Sequence, residues 1–276
     1  MRSQKLKAFL LGGAFFAVAG RGWAAVTVLL SADNEAYQEA AAGVKELVPD
    51  AEVSVIKDGK AELSAGAVAV TLGDAAAALA LPQAGGRVAA MLADTGVAFP
   101  AKAVKVGNLP DAFSLISTIN NMLPKFETLA VFSVGHRYDA YMNFLAAAAK
   151  VSSLKLKIYR LQSSADLVGA LRDLPGHADA LWVALDPFYV NLENFKLISG
   201  VCLSAKIALI APSPFLTQAG ALAALAPSSR EIGRAAGRAA AQLAQGKNPG
   251  LNVQPEKSEL TVNQETAKAL GLHLKP

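Results

Sequence analysis

The sequence predicts an α/β protein made of two successive series of strands and helices, each series a mostly parallel sheet flanked by helices. Three observations predict it. Short apolar runs of strand length alternate with Ala-, Glu- and Lys-bearing segments of helical spacing. The alternation stops near Gly107–Asp111 and then starts again. Hydrophobic residues make up 53% of the chain and charged ones 17%, enough apolar side chains for strands covered on both faces.

Taken in order, Val26–Ser31 reads as a buried strand, and Asn34–Val48 as a helix stopped by Pro49-Asp50. Glu52–Ile56 alternates and ends at the turn Lys57-Asp58-Gly59. Ala67–Leu72 is a second buried run, broken by Gly73-Asp74, and Ala75–Leu81 is an Ala-rich helix up to Pro82. Val88–Ala93 is a further apolar run.

From Asp111 a helical segment runs to Pro124. Leu129–Val134 then reads as a strand and Arg137–Val151 as a helix. Leu154–Leu161 alternates Leu and Lys like a half-exposed strand. Ser163–Asp166 starts a helix that ends at Pro175-Gly176. Ala180–Leu185 is a buried strand stopped by Asp186-Pro187, Leu192–Ser204 a helix, and Ile207–Ala211 the next strand.

Residues 1–24 read as a cleavable secretory leader. Arg2, Lys5 and Lys7 precede the apolar run Ala8–Gly20, and small residues flank Trp23 before a cleavage point after Ala24. The run is shorter than the roughly 20 apolar residues that span a bilayer. No cysteine lies near it, which excludes a lipid anchor. The leader holds four basic residues, Arg2, Lys5, Lys7 and Arg21, and no acid, so the rest of the chain balances 22 positive against 22 negative charges. The sequence pI of 9.1 therefore reflects export and gives no footprint for nucleic acid. Cys202, the single cysteine, forms no internal disulfide and sits in an apolar helical context that suits an inert thiol.

Signatures of enzymes are missing: there is no nucleophile elbow, phosphate-binding loop or zinc-protease helix motif. Gly233 and Gly237 lie within a helical stretch, so they suit helix packing and not a dinucleotide turn. His136, His177 and His273 have no second His or Cys at metal-ligand spacing. No catalytic group, metal or cofactor is expected.

Ligands of open α/β sheets bind beyond the carboxyl ends of the strands. That rule gives a candidate list: Ser31, Asp33 and Tyr37; Gly73 and Asp74; Asp94; His136 and Tyr138; Asp186 and Phe188; Ser213 and Phe215. Its Tyr and Phe content suits an aromatic or largely apolar ligand. Asp33, Asp186 and Ser213 serve equally as helix caps, and Phe188 and Phe215 as core.

The last quarter of the chain holds a GALAAL strand, a REIGRAAGRAAAQLAQGKNP helix and an ELTVNQETAKALGL strand-helix. That order resembles one family of periplasmic substrate-binding proteins of ABC transporters, a family associated with aromatic amino acids. The segments ADNEAYQEAAAGVKEL and AVTLGDAAAALAL resemble its first strand-helix turns. Between Ala93 and Leu109 the chain departs from the pattern: the loop is short, and the Asp-Pro and Asn-x-Thr-Gly signatures are absent.

The resemblance implies a two-lobed, periplasmic binding protein-like fold. Residues 25–107 plus about 226–276 would form the first lobe and 108–225 the second. It also implies a periplasmic protein, not an enzyme, that captures a small molecule between its lobes and presents it to an ABC permease and ATPase. A monomer is the default. Two other readings stay open: an envelope sensor or lipophilic-ligand carrier outside any importer, and an enzyme using Asp33, Asp74 and Asp186.

Overall fold

The computed structural model describes residues 23–92, 102–136 and 138–274. Nearly all of the expected leader lies outside these residues, as does the candidate Asp94. The chain forms two sheets with the same internal order.

The first sheet starts with β1 (Val26–Leu30), which leads into α1 (Glu35–Leu47) and β2 (Glu52–Val55). It continues through β3 (Val68–Leu72), a single turn α2 (Asp74–Ala77), β4 (Gly86–Ala90) and β5 (Val104–Val106). The second series runs α3 (Ala112–Met122), β6 (Thr128–Val134), α4 (Asp139–Val151) and β7 (Lys155–Leu161). It goes on through α5 (Ser164–Asp173), β8 (Ala180–Val183), the short α6 (Pro187–Val190) and α7 (Leu192–Ser204). β9 (Ala208–Ala211), a 3-10 turn at Pro214–Thr217 and β10 (Ala223–Ala226) complete it. The tail holds α8 (Ser229–Ala244), β11 (Asn252–Val253), β12 (Glu259–Val262) and α9 (Gln264–Leu270).

The sheet orders are β2-β1-β3-β4-β5-β11 and β7-β6-β8-β9-β10-β12. Every pairing is parallel except β10 with β12. The chain passes between the sheets three times, at 107–111, at 227–228 and at 254–258. Two lobes of mostly parallel sheet flanked by helices are thus joined by three adjacent crossovers, the two-lobed periplasmic binding protein-like arrangement.

The expectation that everything after about residue 226 belongs to the first lobe is corrected. α8 and β11 join the first sheet, but β12 lies antiparallel on β10, Ala223 opposite Val262, and α9 packs with the second core. β10 has one parallel neighbour, β9, and its other edge is exposed until β12 covers it. A second correction concerns Ala75–Leu81, which forms one helical turn and not a full helix. Gly66 N–H donates to Gln83 O and Gly85 N–H to Ala67 O, which draws the chain back to the sheet before a longer crossover can form. The helix expected from Arg137 starts at Asp139, and the strand expected to reach Ala93 ends at Ala90.

The return of α8 to the first lobe depends on close helix contact. A β-carbon on Gly233 would collide with the Ala40 carbonyl, and one on Gly43 with the Arg230 carbonyl. On Gly237 it would stand 3.0 Å from Val44 O. Ala40, Ala41 and Val44 of α1 and Ile232, Ala236 and Ala240 of α8 are buried in one core. At its rim Arg230 donates to both carboxylate oxygens of Glu39 and to Glu46, and Arg234 to Glu46. The glycines in this helix therefore serve packing.

Candidate functional site

In each sheet the strand order reverses direction beside the first strand, between β1 and β3 and between β6 and β8. These are the switch points where open α/β sheets leave a crevice. A tyrosine from the following helical segment spans each.

At the first switch point Gly73 follows β3 with φ 89°, a conformation that favours glycine. Tyr37 on α1 lies over it. A β-carbon on Gly73 would collide with the Tyr37 hydroxyl and stand 2.6 Å from Ser31 Oγ. Ser31 Oγ also accepts the Ala76 N–H at 2.9 Å. Burial pushes the Tyr37 phenol above its ordinary range, the Asp74 charge adds to this, and the Ser31 hydrogen bond opposes it. Ser31, Tyr37, Gly73 and Asp74 therefore converge as the candidate list required. The Tyr37 phenol lies directly over Gly73 beside Ser31. Asp33 is exposed and accepts from Gln38 Nε2, while Asn34 caps α1.

At the second switch point Tyr138, just before α4, donates its hydroxyl to Leu185 O beyond β8. Asp186 follows, 3% exposed, and its Oδ1 caps the short helix by accepting Phe188 N–H at 2.9 Å. Phe188 is half-buried and turned edge-on to Tyr189, so its ring belongs to the core of the second lobe. The Tyr189 hydroxyl is buried without a hydrogen-bond partner, and its ionisation is pushed up by burial and then by the Asp186 charge. His136 is exposed, its Nδ1 2.7 Å from Asp139 Oδ2. Ser213 heads the 3-10 turn without a capping hydrogen bond, and Phe215 is exposed on it.

Two cavities open between the lobes. The strand-end cavity, about 290 Å³, lies between Met91, Leu92 and Ile232 of the first lobe and Leu185, Asp186 and Pro187 of the second, with Asn108 of a crossover beside them. The hinge-side cavity, about 320 Å³, shares Leu92 and Asn108 with it and continues along Tyr138, Tyr141 and Phe144. Asn108 Nδ2 donates to Leu92 O at 2.9 Å, which ties the first crossover to the end of β4. Of the candidate residues, Asp186 lines the first cavity and Tyr138 the second. Ser31, Asp33, Tyr37, Gly73, Asp74, His136, Phe188, Ser213 and Phe215 line neither.

In the strand-end cavity the residues missed on sequence grounds include Met91, Leu92, Asn108, Leu185 and Ile232. Met91 has φ 56°, a left-handed break inside an apolar run, so the strand ends earlier than its composition suggests. Tyr141 and Phe144 had a readable signal: with Tyr138 they recur every three residues, one flank of a helix. No cluster of three or more metal-holding side chains exists among the described residues.

Residues 95–275, the second lobe, the crossovers and the returning tail, match the model of the ABC transporter substrate binding protein family. The chain belongs to that family. Among the solved structures, this substrate-binding protein is similar to a ligand-free, open substrate binding protein with adhesive properties from Clostridium difficile, with a TM-score of 0.65 and 14% identity over 92% of this chain and 96% of that one. A conserved domain protein from Vibrio cholerae O1 biovar El Tor gives a TM-score of 0.60 at 16% identity over 91% and 96%. An ABC domain from Streptococcus pneumoniae in complex with L-Trp gives 0.58 at 15% over the same shares. A "Tyrosine-binding protein" of Clostridioides difficile (strain R20291) is 28% identical over 126 residues, 45% of this chain and 36% of that relative. The match thus spans about a third of the length of that curated relative. Among the described residues, no helix of this family member is long and apolar enough to cross a membrane.

Proposed function

We propose that this substrate-binding protein captures a small, aromatic or largely apolar solute in the strand-end cavity and delivers it to an ABC permease and its ATPase. The observation that carries the reading is the composition of that cavity. Both lobes wall it, so a solute there would contact each and favour closure by hinge motion. Met91, Leu92, Leu185, Pro187 and Ile232 make its surface mostly apolar, with polar groups from Asn108 and Asp186. This is the usual build of a solute site, an apolar lining with few polar anchors.

Export by the leader at residues 1–24 and work as a periplasmic monomer go with this role. The hinged units would be 25–107 with 229–253, and 108–226 with 259–274. The ABC domain solved in complex with L-Trp and the curated tyrosine-binding relative support an aromatic amino acid as the first solute to try. The apolar lining also favours a second reading, a carrier of a lipophilic molecule outside any importer.

A thermal-shift screen of the chain without residues 1–24 tests this. L-Tyr, L-Trp, L-Phe and a lipid extract are compared. A solute at 100-fold its dissociation constant adds about 2.7 kcal/mol to stability. The expected result is a saturable rise with one aromatic amino acid that shrinks in Ile232→Ala, each protein measured against its own solute-free midpoint. A rise with lipid alone selects the carrier. No rise with any solute overturns the reading.

A further inference from the structure

The wall of the strand-end cavity holds one side chain that oxidation can change without unfolding the chain. Among the described residues there are three methionines, Met91, Met122 and Met142. Met142 is 1% exposed in the second core, and Met122, at the end of α3, is half-buried against that core. Met91 is half-buried and lines the strand-end cavity, which neither of the others does. Its backbone is left-handed, φ 56°, one residue past the end of β4. A residue with a side chain keeps that conformation only where its surroundings impose it. Here both neighbours are pinned: Ala90 O accepts Gly73 N–H at 2.9 Å, and Leu92 O accepts from Asn108 Nδ2 at 2.9 Å. The strand end thus fixes Met91 at the cavity wall.

The groups around Met91 suit a thioether and not a polar oxygen. Leu92, Leu185, Pro187 and Ile232 have no side-chain donor, Asn108 Nδ2 already donates to Leu92 O, and the Asp186 carboxylate is an acceptor. Oxidation turns methionine from a flexible apolar side chain into a polar one. We propose that Met91 is an oxidant-sensitive modification site, where a peroxide forms the sulfoxide and weakens solute capture until a reductase restores the thioether. With hydrogen peroxide the sulfur takes one oxygen, the O–O bond breaks and water leaves; sulfur gives up two electrons and the peroxide gains them. Reversal consumes two thiols, which become a disulfide while the oxygen leaves as water. The sulfoxide oxygen stands among apolar walls and beside a carboxylate, so an apolar solute that covers it buries a polar group without a donor. The inference rests on the strand-end cavity being the solute site.

Hydrogen peroxide treatment of the full chain, followed by peptide mass mapping, tests the modification without any solute. The expected result is that Met91 gains one oxygen well before Met142. L-Trp and L-Tyr are then the probes of capture, read by thermal shift. Oxidation should weaken binding of the probe about tenfold, a loss of 1.4 kcal/mol. Methionine sulfoxide reductases with dithiothreitol should restore it. Oxidised Met122→Leu should lose affinity as the parent does, whereas Met91→Leu, compared with its own untreated sample, should stay within about twofold. Oxidation of Met91 no faster than Met142, or an equal loss of affinity in oxidised Met91→Leu and parent, overturns the proposal. If neither probe binds the untreated chain, the solute reading fails separately, and the peptide map alone decides whether Met91 is the modification site.

Discussion

The phenol of Tyr37 occupies the place where Gly73 would carry a side chain, with Ser31 Oγ on its flank. One helix residue and one strand-end residue thus close the first switch point between them.

Gly73→Ala should be costly for two separable reasons. The φ of 89° strains any side chain, by about 1–3 kcal/mol, and the new methyl group meets the Tyr37 hydroxyl. Urea unfolding should give a loss of about 3 kcal/mol. Tyr37→Ala in the same chain should recover only the share due to the Tyr37 clash, because Ser31 Oγ stays 2.6 Å from the new methyl group and the backbone strain remains. Full recovery in the double variant would show that backbone strain is absent.

Glycines in helices give opposite signs in this molecule. A Gly→Ala change in a helix interior ordinarily stabilises by up to about 1 kcal/mol. Gly169 in α5 and Gly200 in α7 face open space, so both alanine variants should raise the melting midpoint. Gly233→Ala must push α1 and α8 apart and should lower stability by about 3 kcal/mol or more. Differential scanning calorimetry of the three variants decides.

Cys202 is 1% exposed on α7, and burial pushes its thiol up to about 12. The thiolate is the reactive form. At pH 8 a disulfide reagent should leave the native chain unmodified and react completely in denaturant. Rapid labelling of the native chain would disprove that burial.

Acid should destabilise the fold through particular carboxylates. Asp173 accepts from Lys157 Nζ and Tyr159 Oη, both at 2.6 Å, and these bonds hold its carboxyl below the ordinary range. Arg230 and Arg234 do the same for Glu39 and Glu46. A carboxyl lowered on folding stabilises above its unfolded value, and the contribution is lost as pH falls through the folded one. The melting midpoint should therefore decline below about pH 4, and Asp173→Asn should flatten the decline. These groups lie at the surface, so each effect is small and weakens with salt.

Much of the fold was legible because its central strands are uniform apolar runs. β1, β3, β8 and β9 are buried along their whole length. β5 and β11 were not legible: at three and two residues each, Val-Lys-Val and Asn-Val hold too few positions for a period. The lobe that receives β12 is set by an open edge on β10, a property of the assembled sheet and of no local sequence. At the site, Ser31, Tyr37, Gly73 and Asp74 converge as the strand-end rule requires. Tyr37 lies over that crevice. The cavities open instead beside the second switch point, where Asp186 lines one and Tyr138 the other, and the first of these reaches Met91, whose left-handed backbone ends β4 early. Neither the ring's direction nor the backbone break leaves a mark in composition.

The divided tail also governs when this protein can fold. β11 completes the sheet that begins at Val26, and β12 completes the one that begins at Thr128. A nascent chain that stops short of Ser229 lacks the helix that covers β1, β3 and β4 and leaves an edge of β10 bare. Neither sheet has its full set of strands, and the first lacks its covering helix, without the last fifty residues or so, so a chain truncated there should fail to form either lobe as a stable unit.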